Sequence, residues 1–67
     1  MVIRKAVAIN PETHSVSRDI PYAMPVPNAP GYVTSPFAPN EGWVDVRGFR
    51  VGTEVKDPYT GKFFLTP

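Results

Sequence analysis

The hydrophobic positions of this chain fall into three differently patterned stretches. From Val2 to Ile9 the residues are largely apolar and partly alternating, with Ile3, Val7 and Ile9 on one side and Lys5 among them. Asn10-Pro11-Glu12-Thr13 follows with turn chemistry. An asparagine side chain bonds its own backbone, and a proline presets φ at the second turn position. Ser15-Val16-Ser17-Arg18-Asp19-Ile20 then alternates polar and apolar residues, as a half-buried strand does. Residues 1–20 are therefore expected to form a β-hairpin, with Asn10 and Pro11 at its turn. Two isolated strands are marginal in water, so this hairpin needs a surface to lean on.

The second stretch breaks the pattern. Between Ile20 and Asn40 lie six of the nine prolines (Pro21, Pro25, Pro27, Pro30, Pro36 and Pro39) and no charged residue. Proline at this density forbids helix and central strand, leaving polyproline II and turns. A free linker is normally polar or charged, whereas this one carries Tyr22, Met24, Val26, Tyr32 and Phe37. Those five are the expected partner-binding residues of an extended arm over residues 21–41. At ~3.1 Å per residue such an arm reaches roughly 60 Å.

The third stretch, residues 42–67, looks most like a folded unit. Trp43-Val44-Asp45-Val46-Arg47 and Thr53-Glu54-Val55-Lys56 alternate, and Gly48 and Gly52 bracket a bend or bulge. Asp57-Pro58-Tyr59-Thr60-Gly61 is the best local signal, a turn placed by Asp57, Pro58 and Gly61. Lys62 to Thr66 returns as a strand. These segments predict a three-stranded meander or an SH3-like partial barrel. Its expected core is Trp43, Val44, Val46, Phe49, Val55, Phe63 and Leu65. The fold class is small and all-β, one structural unit with little or no helix. No internal repeat is read beyond the proline enrichment.

Length sharpens this picture. Ordering 67 residues costs on the order of 100 kcal/mol, at about 1.5 kcal/mol each, which area burial in so small a domain roughly matches. The chain has no cysteine and one histidine, His14, so disulfides, thiolate metal sites and imidazole zinc sites are excluded. No cofactor is expected. The remaining stabilisers are proline, acting on the unfolded chain, and association with a partner. A net charge of +1 is too balanced to single out nucleic acid or an anionic membrane. The apolar run after Arg4-Lys5 is too short for a signal-peptide core, and no stretch is long enough to span a bilayer. The expected location is the cytoplasm at synthesis, with no membrane insertion.

The chemistry-bearing residues each have a plain structural account. His14 sits beside Thr13 and Ser15 in the first turn, but no strained nucleophile context surrounds it. Asp45 and Glu54 are flanked by Arg47 and Lys56, which suits cross-strand pairing on a solvated face. Arg47, Arg50, Lys56 and Lys62 with Trp43, Phe49 and Tyr59 resemble the basic-aromatic surfaces that bind single strands. Asp45, Glu54 and Asp57 cancel most of that field, so nucleic acid is not the expected partner. The two Pro-x-x-Pro spacings, at Pro27 and Pro36, lack a basic residue to orient a docking domain.

A chain with too little core and an uncharged apolar arm reads as non-enzymatic, ordered by protein subunits of a larger assembly, with no small-molecule substrate. A minor capsid, cement or decoration protein of a virus or phage particle fits, which adds the virion as a destination. The alternative is an autonomous SH3-like protein-binding module whose proline arm folds back over its own barrel.

Overall fold

The computed structural model describes residues 2–9 and 19–67. They form a small all-β fold with no helix. Its strands are β1 (Ile3–Lys5), β2 (Val7–Ala8), β3 (Met24–Pro25), β4 (Tyr32–Thr34), β5 (Trp43–Asp45), β6 (Glu54–Lys56) and β7 (Phe63–Leu65). One sheet has the order β1-β5-β4-β3 and the other β2-β6-β7.

Two bent runs join the sheets into a ring. In the first, β1 pairs with β5 in parallel, the chain turns at Ala6, and β2 pairs with β6 antiparallel. In the second, Tyr22 bridges Leu65 in parallel, the chain turns at Ala23, and β3 pairs with β4 antiparallel. Both corner residues are buried alanines. Their side chains belong to the buried hydrophobic core.

The proline-rich stretch is part of this ring, which corrects the expectation of an extended arm. It doubles back as the β3–β4 hairpin, closed by Val26 N–H to Tyr32 O at 3.0 Å and Ala29 N–H to Val26 O at 3.2 Å. Asn28 and Gly31 take the positive φ values that the reversal needs, 62° and 86°. Prolines are tolerated because of register. Val26 faces Tyr32 as a hydrogen-bonded pair, so Pro25, opposite Val33, holds the alternate position where no N–H enters the ladder.

Pairing also differs at both ends of the chain. β5 does not join β6 in a meander. It lies between β1 and β4, where Val44 faces Val33 and both are buried. Only the β6–β7 hairpin of the expected C-terminal meander is present. Among the described residues, the first two strands pair with residues 43–45 and 55–56. The expected first turn, Asn10 and Pro11, and most of the second hairpin strand lie outside the described residues.

The ring contains an internal two-fold relation that no repeat in the sequence announces. Residues 3–8 correspond to 20–25, Tyr32–Ser35 to Glu54–Asp57, and Trp43–Val46 to Phe63–Thr66. The antiparallel pairings transfer, and of the parallel ones Lys5↔Asp45 matches the Tyr22↔Leu65 bridge. Tyr32↔Asp45, Val33↔Val44 and Thr34↔Trp43 match Glu54↔Leu65, Val55↔Phe64 and Lys56↔Phe63. Met24↔Thr34 and Pro25↔Val33 match Val7↔Lys56 and Ala8↔Val55. The corner bonds match too, Ala6 N–H to Asp45 O at 3.0 Å and Ala23 N–H to Leu65 O at 2.9 Å. So do Val46 N–H to Gly31 O and Thr66 N–H to Thr53 O, both 2.9 Å.

The core obeys the same relation. Ala6, Ala23, Val33, Val44, Val46, Val55, Phe64, Ser35, Asp57 and Thr66 are the buried residues among those described. They divide without remainder into the pairs Ala6/Ala23, Val33/Val55, Val44/Phe64, Val46/Thr66 and Ser35/Asp57. Thr66 is polar where its counterpart is Val46, and its hydroxyl is satisfied by Arg50 O at 2.6 Å and Thr53 N–H at 3.0 Å.

Val44, Val46 and Val55 are core, as expected, and Phe49 packs against them half-buried. Phe63 is not: it is 38% exposed, and Phe64 takes the buried place at 0%. Trp43 and Leu65 are half-buried on the outer surface. The reason is strand parity. Successive side chains point to opposite faces, so Trp43 cannot enter the core beside Val44, nor Phe63 and Leu65 beside Phe64.

Candidate docking face

The four-stranded sheet turns outward the residues that flank its buried Val33 and Val44. Ile3, Trp43, Thr34 and Met24 are consecutive register partners and form an uncharged row across all four strands. Ile3 is 49% exposed and Met24 61% exposed at the two ends, with Trp43 and Thr34 half-buried between them. The two-fold equivalent on the other sheet is Ile20, Phe63, Lys56 and Val7, with Phe63, Lys56 and Val7 in direct register. There a lysine stands where Thr34 stands in the first row. The two outer faces therefore share a backbone and differ in character, and the four-stranded one is uncharged along its row.

Beside that row runs a polar one, Lys5, Asp45 and Tyr32. Arg47, two residues past Asp45, folds back over it. Its Nε and Nη2 donate to Oδ1 and Oδ2 of Asp45, both at 3.0 Å, and its backbone N–H donates to Oδ1 at 2.9 Å. This bidentate clamp, first through the side chain and then through the backbone, lowers the Asp45 pKa to about 2. The guanidinium also lies 5.1 Å from the Tyr32 ring centroid, and Tyr32 in turn sits 5.8 Å from Trp43. Lys5 Nζ donates to Arg47 O at 2.7 Å and lies 5.5 Å from the Phe49 ring. These contacts hold the cations in fixed positions above aromatic faces.

At the Tyr32 end of β4 the face opens into an apolar groove of about 290 Å³. Pro25, Val26, Pro30, Tyr32, Phe49 and Val51 are among its walls, with Arg47 as its charged lining residue. Val51 is 81% exposed.

Of the five residues expected to bind a partner, three come together here. Met24 ends the uncharged row, Val26 lines the groove, and Tyr32 belongs to both the polar row and the groove. Tyr22 lies on the other sheet beside Leu65. Phe37 sits past the far end of β4, beneath Lys62 at 5.2 Å. Sequence reasoning missed Ile3, Trp43 and Thr34 as surface residues. The alternation of Trp43 with Val44 carried that signal, and it became decisive only once the β4–β5 pairing was known.

At that far end two buried polar residues, Ser35 and Asp57, meet. Ser35 Oγ donates to Asp57 Oδ2 at 2.6 Å, Thr60 Oγ1 donates to the same oxygen at 2.8 Å, and Tyr59 N–H donates to Oδ1 at 2.9 Å. Ser35 Oγ also accepts from Phe37 and Ala38 N–H at 3.0 and 3.2 Å. A serine beside a carboxylate has the outline of a nucleophile and its base. Here both are closed off from solvent and their acceptors are occupied, so the cluster is a clamp between two turns. Asp57, Pro58 and Gly61 keep the turn role expected of them. Among the described residues no three His, Cys, Asp or Glu side chains converge to hold a metal ion, and no helix is long and apolar enough to cross a membrane.

Comparison with family models, curated proteins and solved structures found no match.

Proposed function

We propose that this protein is a non-enzymatic binding module, a small β ring that docks on a protein partner through the outer face of its four-stranded sheet. The supporting observation is the uncharged row Ile3–Trp43–Thr34–Met24, exposed at both ends and flanked by cations held over aromatic rings. Trp, Tyr and Arg are the residues that most often anchor protein interfaces, and Trp43, Tyr32 and Arg47 adjoin one another here. The incorporation of the proline stretch into the ring favours a module that orders by itself over an arm that waits for a scaffold.

A second reading is an accessory subunit enclosed by neighbours in a larger assembly, a virus or phage particle included. It is favoured by the exposure of Tyr22, Phe63 and Val7 on the opposite sheet, since a subunit surrounded by others presents apolar residues on more than one side.

Quantitative co-purification from the native source separates the two. A partner retained by the unaltered chain and lost with Met24→Asp, but kept by Val7→Asp, supports the docking module. Loss with either variant supports the accessory subunit. Retention of every partner by both variants, each with an unchanged ¹H–¹⁵N amide spectrum, rules out both.

A further inference from the structure

The row Ile3–Trp43–Thr34–Met24 is complementary to its own reversal, and we infer that the occupant of this face is a second copy of the chain, held in a weak two-fold dimer. The inference rests on the docking reading of the face and goes beyond it by naming the partner.

The sizes along the row carry the argument. Its inner members are a large residue, Trp43, and a small one, Thr34, in direct register. Its outer members, Ile3 and Met24, are of similar size and are the exposed ends. In a two-fold interface residue i meets j and j meets i. Sheets that pack face to face keep their strands within about 30° of parallel. An axis between β4 and β5, running along them, therefore brings the two rows together reversed. Trp43 of each copy then faces Thr34 of the other, and Ile3 faces Met24. Large against small on both sides of the axis lets the faces interdigitate. An axis running along the row would instead set Trp43 against Trp43 and leave the two threonines facing across a gap.

Charge agrees with the same axis. The neighbouring row is Lys5–Asp45–Tyr32, extended by Val26 through its N–H bond to Tyr32 O. Reversal sets Asp45 against Tyr32 and Lys5 against Val26, so no like charges meet. Lys5 lies at the outer edge, where its ammonium stays in water, and Arg47 arrives already matched by its own Asp45. The opposite face lacks this fit. Lys56 holds the place of Thr34, in register with Phe63. Reversal there presses an ammonium against the Phe63 ring beside the axis, with no hole to receive it. One self-complementary face and one blocked face give closed dimers rather than filaments. Two rows across four strands spaced ~4.8 Å cover on the order of a few hundred Å², less than the ~800 Å² per partner of a standard interface. The dimer is therefore reversible, with a dissociation constant of roughly 0.1–1 mM.

The test is sedimentation velocity of the full chain from about 20 µM to about 2 mM, across the expected constant. Met24→Asp should weaken self-association at least about tenfold, and Val7→Asp, on the opposite sheet, should leave it unchanged. The decisive pair is Trp43→Thr and Thr34→Trp, each checked for an intact ¹H–¹⁵N amide spectrum. Alone, each should dimerise at least about tenfold more weakly than the unaltered chain, one setting small against small and the other large against large. Mixed in equal amounts they should form a heterodimer within about threefold of the original affinity, because each threonine again faces a tryptophan. A chain that stays monomeric throughout, a dimer kept by Met24→Asp or lost with Val7→Asp, or single variants that fail to pair on mixing would overturn the inference. Should either of that pair not fold, Met24→Asp and Val7→Asp decide alone. If the chain stays monomeric while Met24→Asp still abolishes partner retention, this inference fails and the docking reading stands.

Discussion

Ser35 and Asp57 hold the same place in the two halves of the ring, and they are hydrogen-bonded to each other at 2.6 Å. Equivalent residues meet only where an internal two-fold axis passes between them, so this bond marks the axis. It also locks the turn after β4 to the turn after β6, and both residues are shielded from water.

Breaking that bond from either side should be unequal. Asp57→Ala strands the Ser35 and Thr60 hydroxyls and the Tyr59 N–H, and should cost about 3 kcal/mol. Ser35→Ala removes one donor and two weaker acceptor contacts, and should cost about 1.5 kcal/mol. Urea unfolding of both variants and of the double variant measures this. Additive losses would mean that the two turns are stabilised independently.

Adjacent phenylalanines should behave as differently as their faces. Phe64→Ala empties the centre of the core opposite Val55 and should cost about 4 kcal/mol, enough to leave the chain largely unfolded. Phe63→Ala, on the outer surface, should cost under about 1 kcal/mol. Circular dichroism during thermal unfolding distinguishes them, and a reversed order would mean that the β6–β7 register is wrong.

Acid should weaken the Asp45–Arg47 clamp over a defined interval. The carboxyl is lowered from 3.8 to about 2 by the Arg47 side chain first and its N–H second. A group lowered in the folded state stabilises above its unfolded value and loses that contribution as pH falls through the folded one. The contribution is therefore complete above pH 3.8 and disappears toward pH 2. With Arg47 largely exposed it amounts to under about 1 kcal/mol. The stability difference between the unaltered chain and Asp45→Asn should close across that interval, and a constant difference would contradict the clamp.

Gly42 admits no side chain. Its φ is 148°, and an added Cβ would lie 2.5 Å from Val2 O and 2.7 Å from the Tyr59 hydroxyl. Gly42→Ala should cost more than about 1 kcal/mol, because the first obstacle is the backbone of the run that enters β1. At Gly31 the obstacle is the Arg47 side chain, 2.4 Å away. That side chain can swing aside, so Gly31→Ala should cost less than Gly42→Ala. It should also shift the Tyr32 ring resonances as the guanidinium leaves.

Local features were legible in the residues, and pairings were not. The turn at Asp57-Pro58, the strand at Glu54–Lys56 and the buried Val44, Val46 and Val55 follow from alternation and turn chemistry over a few positions. The β1–β5 parallel pairing joins residues forty apart, and nothing in a local pattern specifies it. Prolines misled because their number was weighed without their phase. Pro25 falls where the ladder needs no donor, so a strand survives a residue that normally excludes one. The repeat stayed hidden because its segments are offset by unequal amounts. Only Val33-Thr34-Ser35-Pro36-Phe37 and Val55-Lys56-Asp57-Pro58-Tyr59 betray it in the sequence. The docking face inherited these difficulties, since Ile3, Thr34, Trp43 and Met24 come from four separate strands.

The ring also fixes an order of events in time. The Ile3–Ala8 run is synthesised first, yet both of its partners, Trp43–Asp45 and the Val55–Lys56 pair, emerge from the ribosome many residues later. The β3–β4–β5 hairpins can form locally, but the circle closes only after Phe63–Leu65 has paired with both β6 and Tyr22. Pairing at such separations slows folding because chain entropy is lost before contacts compensate. The nascent chain thus holds its first strand without its β5 partner until Trp43–Asp45 has been made, a window in which a chaperone or its eventual partner can reach it.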